Sequence, residues 1–329
     1  MMAICHQGRT EVRSTRQLTK TNIMHIQWYP GHMHKASKEI KEVLPQIDLI
    51  IEVLDARIPF SSQNPMLSTL RGETPCIRVL SKTDLADPKI TELWQRYLEQ
   101  EKGVKTLAVT TLQPEKIKQI TQLCHKMVPE KGSNDKLIKT MIMGIPNVGK
   151  STIINILADR IIAITGNEPA VTKRQQRIKL ENNIVLSDTP GVLWPNVENQ
   201  NSGYRLAATG AIKDTALEYA DVAFFTAEYL LENYPEQLKT RYQIEQLPDN
   251  ESDLMEIIGR KRGCLRTGKQ VDLDKTSKIL IAELRAGIIG NITLETPEIV
   301  EKELLELSLT KERKAAKKTA RKKKWKNSR

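Results

Sequence analysis

The chain has 329 residues, 39% of them hydrophobic and only 4% aromatic, so Ile, Leu and Val must fill any core. No apolar run approaches the roughly 18 residues that a membrane-spanning helix needs, which excludes a helical membrane protein and membrane partners of that kind. The net charge of +11 is not spread evenly: 311–329 hold eleven Lys/Arg and one Glu, leaving 40 basic against 39 acidic residues elsewhere.

Residues 1–23 are polar and lack the roughly 7–15-residue apolar core of a secretory signal. They read as an unstructured leader, or as residues preceding a start at Met24. Pro30-Gly31 marks a turn, and Ile40, Val43 and Leu44 then recur at helical spacing up to Pro45. His32, at the start of that helix, reads by itself as a cap or surface residue. Ile47–Leu54 is a candidate buried strand running into Asp55-Ala56-Arg57-Ile58-Pro59. Pro75–Leu80 is a second, running into Ser81-Lys82-Thr83-Asp84, and Val104–Val109 a third, running into Thr110-Thr111. Helical stretches at Pro65–Leu70, Ile90–Gln100 and Glu115–Val128 alternate with them. This alternation predicts an α/β fold with a mostly parallel sheet and helices on both faces. Ligands of such sheets bind beyond the carboxyl ends of the strands, which places Ser81–Asp84 and Thr110-Thr111 against one ligand.

The most informative stretch is Gly144-Ile145-Pro146-Asn147-Val148-Gly149-Lys150-Ser151, a match to G-x-x-x-x-G-K-[ST]. An apolar run, Leu137–Met143, precedes it, and a helix start through Thr152 follows. Such a loop turns its N–H groups toward phosphate oxygens at a helix N-terminus. Lys150 would reach the β- and γ-phosphates and Ser151 would ligate Mg²⁺. The motif specifies a nucleoside triphosphate but not the base. Two further strands deliver Asp188-Thr189-Pro190-Gly191, where Asp188 can serve Mg²⁺ and Gly191 can bring its N–H to a γ-phosphate.

From about Tyr204 the pattern becomes helical, with breaks at Pro235, Pro248 and Gly263. The boundaries predicted are an α/β nucleotide-binding domain, 24–203, a helical domain, 204–309, and a disordered basic tail, 310–329. Basic turns at Gly259–Cys264 and Arg266–Lys269 suit phosphates or plain solvent equally. The tail is too charged to pack a core and suits RNA, with Trp325 able to stack on a base. Cys5, Cys76, Cys124 and Cys264 are scattered, without C-x-x-C or a zinc-spaced His, and read as reduced thiols.

Taken together, Ser81-Lys82-Thr83-Asp84 resembles the N-K-x-D base motif of translation-factor-class GTPases. A carboxylate there accepts from guanine N1–H and the 2-amino group, a donor pair adenine lacks. The base motif precedes the P-loop instead of following it, an order that reads as a circular permutation. That order, with I-Q-W-Y-P-G-H-M, D-A-R-I-P, G-I-P-N-V-G-K-S-T and D-T-P-G-V-L-W-P, closely resembles the ribosome biogenesis GTPase A family from about Met24 to Pro297. The resemblance implies a cytoplasmic, monomeric GTPase that binds GTP and GDP with Mg²⁺ and acts late in large ribosomal subunit assembly, with 24–203 as its permuted GTPase domain and 204–309 as an RNA- or ribosome-binding domain contacting rRNA.

It also implies roles. Val192 stands where many GTPases carry the glutamine that orients the attacking water, and His32 is implied in its place. Thr172 matches the switch threonine that joins Mg²⁺, and Asn147 resembles the residue that recruits K⁺ in related GTPases. Ser81 departs from the usual Asn and is expected to lose contacts to the base and P-loop. Ala170 replaces the glycine usual before the switch Val-Thr. The alternatives are a nucleotide-gated RNA-binding assembly factor with little hydrolysis, a P-loop ATPase or kinase, and a related permuted GTPase on another ribosomal particle.

Overall fold

The computed structural model describes residues 31–132, 136–163, 176–180, 183–194, 197–214 and 218–327. The leader, Ala170 and Thr172 lie outside them. In chain order the first half comprises α1 (Gly31–Val43), β1 (Leu49–Asp55), α2 (Pro65–Arg71), β2 (Cys76–Ser81), α3 (Pro88–Leu98), β3 (Val104–Ala108), α4 (Pro114–Met127) and the short α5 (Pro129–Gly132). Then come β4 (Ile138–Met143), α6 (Lys150–Leu157), β5 (Gln176–Lys179) and β6 (Ile184–Asp188). The remainder is helical: α7 (Gln200–Ala208), α8 (Tyr219–Asn233), α9 (Pro235–Tyr242), α10 (Glu251–Lys261), α11 (Leu273–Arg285) and α12 (Pro297–Asn327).

The strands form one sheet in the order β3-β2-β1-β4-β6-β5. All neighbours are parallel except β5, which runs antiparallel along β6. β1 and β2 are buried along their whole lengths, as continuous apolar strands covered on both faces must be. Chain direction across the sheet reverses at β1, which has β2 on one side and β4 on the other. That is the switch-point crevice where open α/β sheets bind ligands. Register does the rest: Asp55 pairs with Ser81, and Ile142 with Asp188, so the carboxyl ends of these four parallel strands face one rim, two of them carrying a carboxylate.

Local signals fix the helix starts. Asn64, Asp87, Asn199, Asn250 and Asp272 each accept a backbone N–H as N-cap. Pro235, predicted as a break, does separate α8 from α9, and it opens α9, where a missing N–H costs nothing. The basic tail departs from its reading. It was expected to be disordered from 310, yet α12 continues unbroken to Asn327. After Pro297 the helix holds no Gly or Pro, and is built largely from Glu, Leu, Ala, Lys and Arg, the strongest helix formers. Glutamates near its start and lysines near its end also complement the helix dipole. No helix among the described residues is long and apolar enough to cross a membrane. One hydrophobic cluster runs from α1 through the sheet into α7, α8, α10 and α11, so the helical half shares the core of the sheet.

Candidate functional site

The base motif sits at the end of β2. Ser81 is buried, and its hydroxyl lies 2.9 Å from Leu54 O and 2.7 Å from Val148 O, as donor. The predicted loss of the P-loop contact therefore does not occur: the shorter side chain reaches the P-loop backbone directly. Lys82 adopts a left-handed backbone (φ 56°). Its Nζ donates to Asp55 Oδ2 at 2.9 Å and to Asn147 O at 2.5 Å, stapling β1 to the P-loop. Asp55 also accepts from Arg57 Nε (2.9 Å), Nη2 (2.7 Å) and backbone N (3.0 Å). Burial alone would raise its pKa, but the Arg57 and Lys82 charges hold the Asp55 carboxyl well below the usual carboxylate range. Lys82 is itself pushed down by burial, against the pull of Asp55.

These groups border a cavity of about 1040 Å³. Ser81, Lys82, exposed Asp84, Thr110 and Thr111 line its base side, and Asn147, Gly149 and Thr152 its P-loop side. Thr83 works through its backbone, donating to Val109 O at 3.2 Å, and Thr110 Oγ1 accepts from Leu112 N at 3.2 Å. Val148 is buried and contributes its carbonyl to Ser81. Asn147 has a left-handed backbone (φ 61°), and its Nδ2 donates to Gly210 O at 2.8 Å, tying the P-loop to the helical half.

The phosphate end is built differently. Lys150 opens α6, is buried, and spends its Nζ on the P-loop's own carbonyls, Gly144 O (3.1 Å) and Ile145 O (2.8 Å). A Cβ on Gly191 would stand 2.9 Å from Pro146 N and 3.2 Å from Lys150 Nζ, so only glycine lets the D-T-P-G turn lie this close to the loop. Val192 is buried against the P-loop, its N–H donating to Gly144 O at 3.3 Å. Asp188, at the end of β6, is buried, and neither carboxylate oxygen accepts a well-formed hydrogen bond among the described residues. Burial pushes it up to about 6, offset only in part by Lys150 and the Thr189 N–H. Burial likewise pushes Lys150 down to about 8, with Asp188 opposing. A buried carboxylate short of well-formed hydrogen bonds suits a hard divalent cation with oxygen ligands. Among the described residues there is no cluster of three or more His, Cys, Asp or Glu, so protein atoms alone do not complete such a site.

Two predicted residues stand apart. His32 falls in the first turn of α1, and its side chain lies outside the described residues, as Thr172 does entirely. Sequence reasoning also missed groups. Arg57 was visible in D-A-R-I-P, but its bidentate grip on Asp55 was not. Lys213 and Arg285 line the same cavity from the helical half. Arg285 is held by Ala208 O (3.0 Å), Ala207 O (2.8 Å) and Asp214 (3.0 Å), and nothing in its own sequence surroundings signals this.

A G-x-x-x-x-G-K-S loop between β4 and α6 at the switch-point crevice, with its buried lysine beside Asp188, is the arrangement of a P-loop nucleotide-binding protein. A family described as "50S ribosome-binding GTPase" matches residues 139–260. The ribosome biogenesis GTPase A of Bacillus pumilus is 44% identical over 282 residues, spanning 84% of this chain and all of that protein. The protein of that name from Thermotoga maritima is 31% identical over 273 residues, spanning 83% of this chain and 95% of the other. The crystal structure of GNP-bound YlqF from T. maritima superposes with a TM-score of 0.55 at 28% identity, covering 80% of this chain and 99% of that one. The chain belongs to the ribosome biogenesis GTPase A family, and is a GTP-hydrolysing enzyme with a role in ribosome assembly.

Proposed function

We propose that the chain is a GTP-driven switch acting in the cytoplasm on a precursor of the large ribosomal subunit. The observation that carries the nucleotide part is one cavity holding both the P-loop and Asp84, although Asp84 comes first in the chain. We read that order as a circular permutation. Asp84 is the acceptor for guanine N1–H and the 2-amino group, Thr110 and Thr111 flank the base, and Lys82 braces the pocket. Lys150 exchanges its loop carbonyls for the β- and γ-phosphates, neutralising charge where it develops. Gly149, Val148 and Thr152 shape the loop around the phosphates, and Gly191 presents its backbone to the γ-phosphate.

Ser151, Asp188 and Thr172 would hold Mg²⁺, which supplies positive charge to the phosphate oxygens. Asn147 would hold K⁺, a role resting on the family resemblance. The Gly210 contact supports it only by fixing which way the amide points. His32 orients the attacking water, because Val192 has no polar atom in its side chain and is packed on the P-loop. Support for the particle comes from the names of the relatives, and support for rRNA from the eleven Lys/Arg of 311–329. GTP turnover, measured with and without purified large-subunit precursors, should rise with the particle. Equal rates remove the activation, and unchanged turnover in His32→Ala removes the catalytic assignment.

The burial of Val192 also favours a second reading, a nucleotide-gated RNA-binding factor with little intrinsic hydrolysis. Tight GTP binding with no turnover on any ribosomal particle would establish it.

A further inference from the structure

The segment between α11 and α12 is a strap laid across the base-recognition loop. Its centre, Asn291, is exposed and 207 positions from Asp84 in the chain, yet its side-chain amide donates to Asp84 O at 2.9 Å and to Ala86 O at 3.1 Å. Between those two, Leu85 O accepts the Ile292 N–H at 2.9 Å. The carbonyls of Asp84, Leu85 and Ala86 are thus all taken by the strap. One residue on, the Asp87 N–H donates to Thr293 Oγ1 at 3.0 Å. Gly287 lies so close that a Cβ there would stand 2.7 Å from Leu85 Cδ2.

The strap is itself fixed from behind. Thr293 O accepts both tyrosine hydroxyls, Tyr229 and Tyr234, at 3.1 Å each, and Leu294 O accepts Arg205 Nε at 2.9 Å. The Leu294 N–H donates to Arg57 O at 2.8 Å, next to the Asp55–Lys82 cluster. The loop carrying Asp84 therefore takes its shape from a distant, rigid segment, while the Asp84 side chain stays exposed at the cavity.

We propose that Asn291 is a positioning residue for base selectivity: by holding the Asp84–Ala86 backbone, it aims the Asp84 carboxylate at the two guanine donors. The proposal rests on the reading of the cavity as a guanine-nucleotide site. A carboxylate that accepts two hydrogen bonds at once tolerates little tilt, since such bonds weaken steeply as they bend. Loosening the loop should therefore cost the second bond before the first.

The test compares binding of GDP, IDP and ADP to the full chain by calorimetry. IDP lacks only the 2-amino group, so the GDP/IDP affinity ratio reads that one bond. Asn291→Ala should lower the ratio by roughly three- to tenfold, the worth of one hydrogen bond. Asn291→Asp, which offers acceptors to two carbonyls, should lower it further. Asn291 is exposed, so melting temperatures of both variants should stay near the parent. Weakening of GDP and IDP in equal proportion, or an unchanged ratio in both variants, overturns the proposal. Equal binding of ADP and GDP by the parent protein would instead overturn the guanine reading.

Discussion

Asp55 at the end of β1 and Asp188 at the end of β6 are opposites in how the fold treats a buried carboxylate. At the base end Asp55 is ringed by Arg57, Lys82 and a backbone N–H, and its loop neighbours are tied down by the strap. At the phosphate end Asp188 is as deeply buried but has no such donors, and Lys150 beside it bonds to its own loop. A satisfied polar network is rigid before the ligand arrives. An unsatisfied one is a standing electrostatic cost that a ligand can relieve. Both Asp55 oxygens are thus satisfied, with Arg57 Nη1 left as the unpartnered atom of that cluster among the described residues, whereas both Asp188 oxygens carry an unmet electrostatic demand.

The largest effect should come from breaking the satisfied end. Arg57→Ala leaves Asp55 buried with Lys82 and one N–H, and should cost about 3 kcal/mol in denaturant unfolding, the lower part of the range for a broken buried pair. A loss under about 1 kcal/mol would mean that Lys82 alone suffices. On the phosphate side, Lys150→Ala should lower the rate of GTP hydrolysis on the order of 10²–10³-fold, the usual loss when one charge-stabilising group is removed.

Asp188→Asn should act in two directions. Nucleotide-free protein should gain up to about 2–3 kcal/mol at neutral pH, because a charge held about two pKa units above its ordinary value is relieved. Mg²⁺-dependent nucleotide binding should fall in the same variant, and a melting scan with and without Mg·GDP separates the two. The pH dependence follows from the sign of the shift. With its native pKa raised to about 6, Asp188 binds more protons folded than unfolded between about 4 and 6. Its penalty is absent below the unfolded value and full above about 6, so the gain from Asp188→Asn should vanish as pH falls toward 4. Asp55 has the reverse sign. Its pKa is lowered, so its contribution is full above the ordinary carboxylate range and is lost only in stronger acid. A gain from Asp188→Asn that does not change with pH would show that the two carboxylates do not differ in this way. The smallest effect belongs to Ser81→Ala, about 1 kcal/mol in unfolding, for the hydroxyl shared by Leu54 O and Val148 O.

What was legible in the sequence was local. The apolar runs of β1, β2 and β4, the octet at Gly144–Ser151 and the carboxylate at Asp84 each carry their own signature. The basic end was misread because charge and helix propensity pull apart there. Its like charges argue for repulsion, but Ala, Lys and Arg form helix well, and α12 follows propensity. Pro235 was legible as the break between α8 and α9, and the same residue is favoured at the first turn of the helix that follows. The strap and Arg285 were invisible for a different reason. Their partners lie 59 to 237 positions away, and no pattern within a few residues of Asn291 or Arg285 records them. The contact of Ser81 to the P-loop was hidden by a family expectation of Asn at that position.

The strap also sets a schedule for synthesis. Asp84 leaves the ribosome long before Asn291 does, and at about 5–20 residues per second the interval is on the order of 10–40 s. During that time the chain can already carry its P-loop strand and helix, but the base loop still lacks the segment that shapes it. A nascent chain of this protein should thus acquire its grip on phosphates well before its preference for guanine. Full discrimination between nucleotides would then be one of the last properties to mature on the translating ribosome.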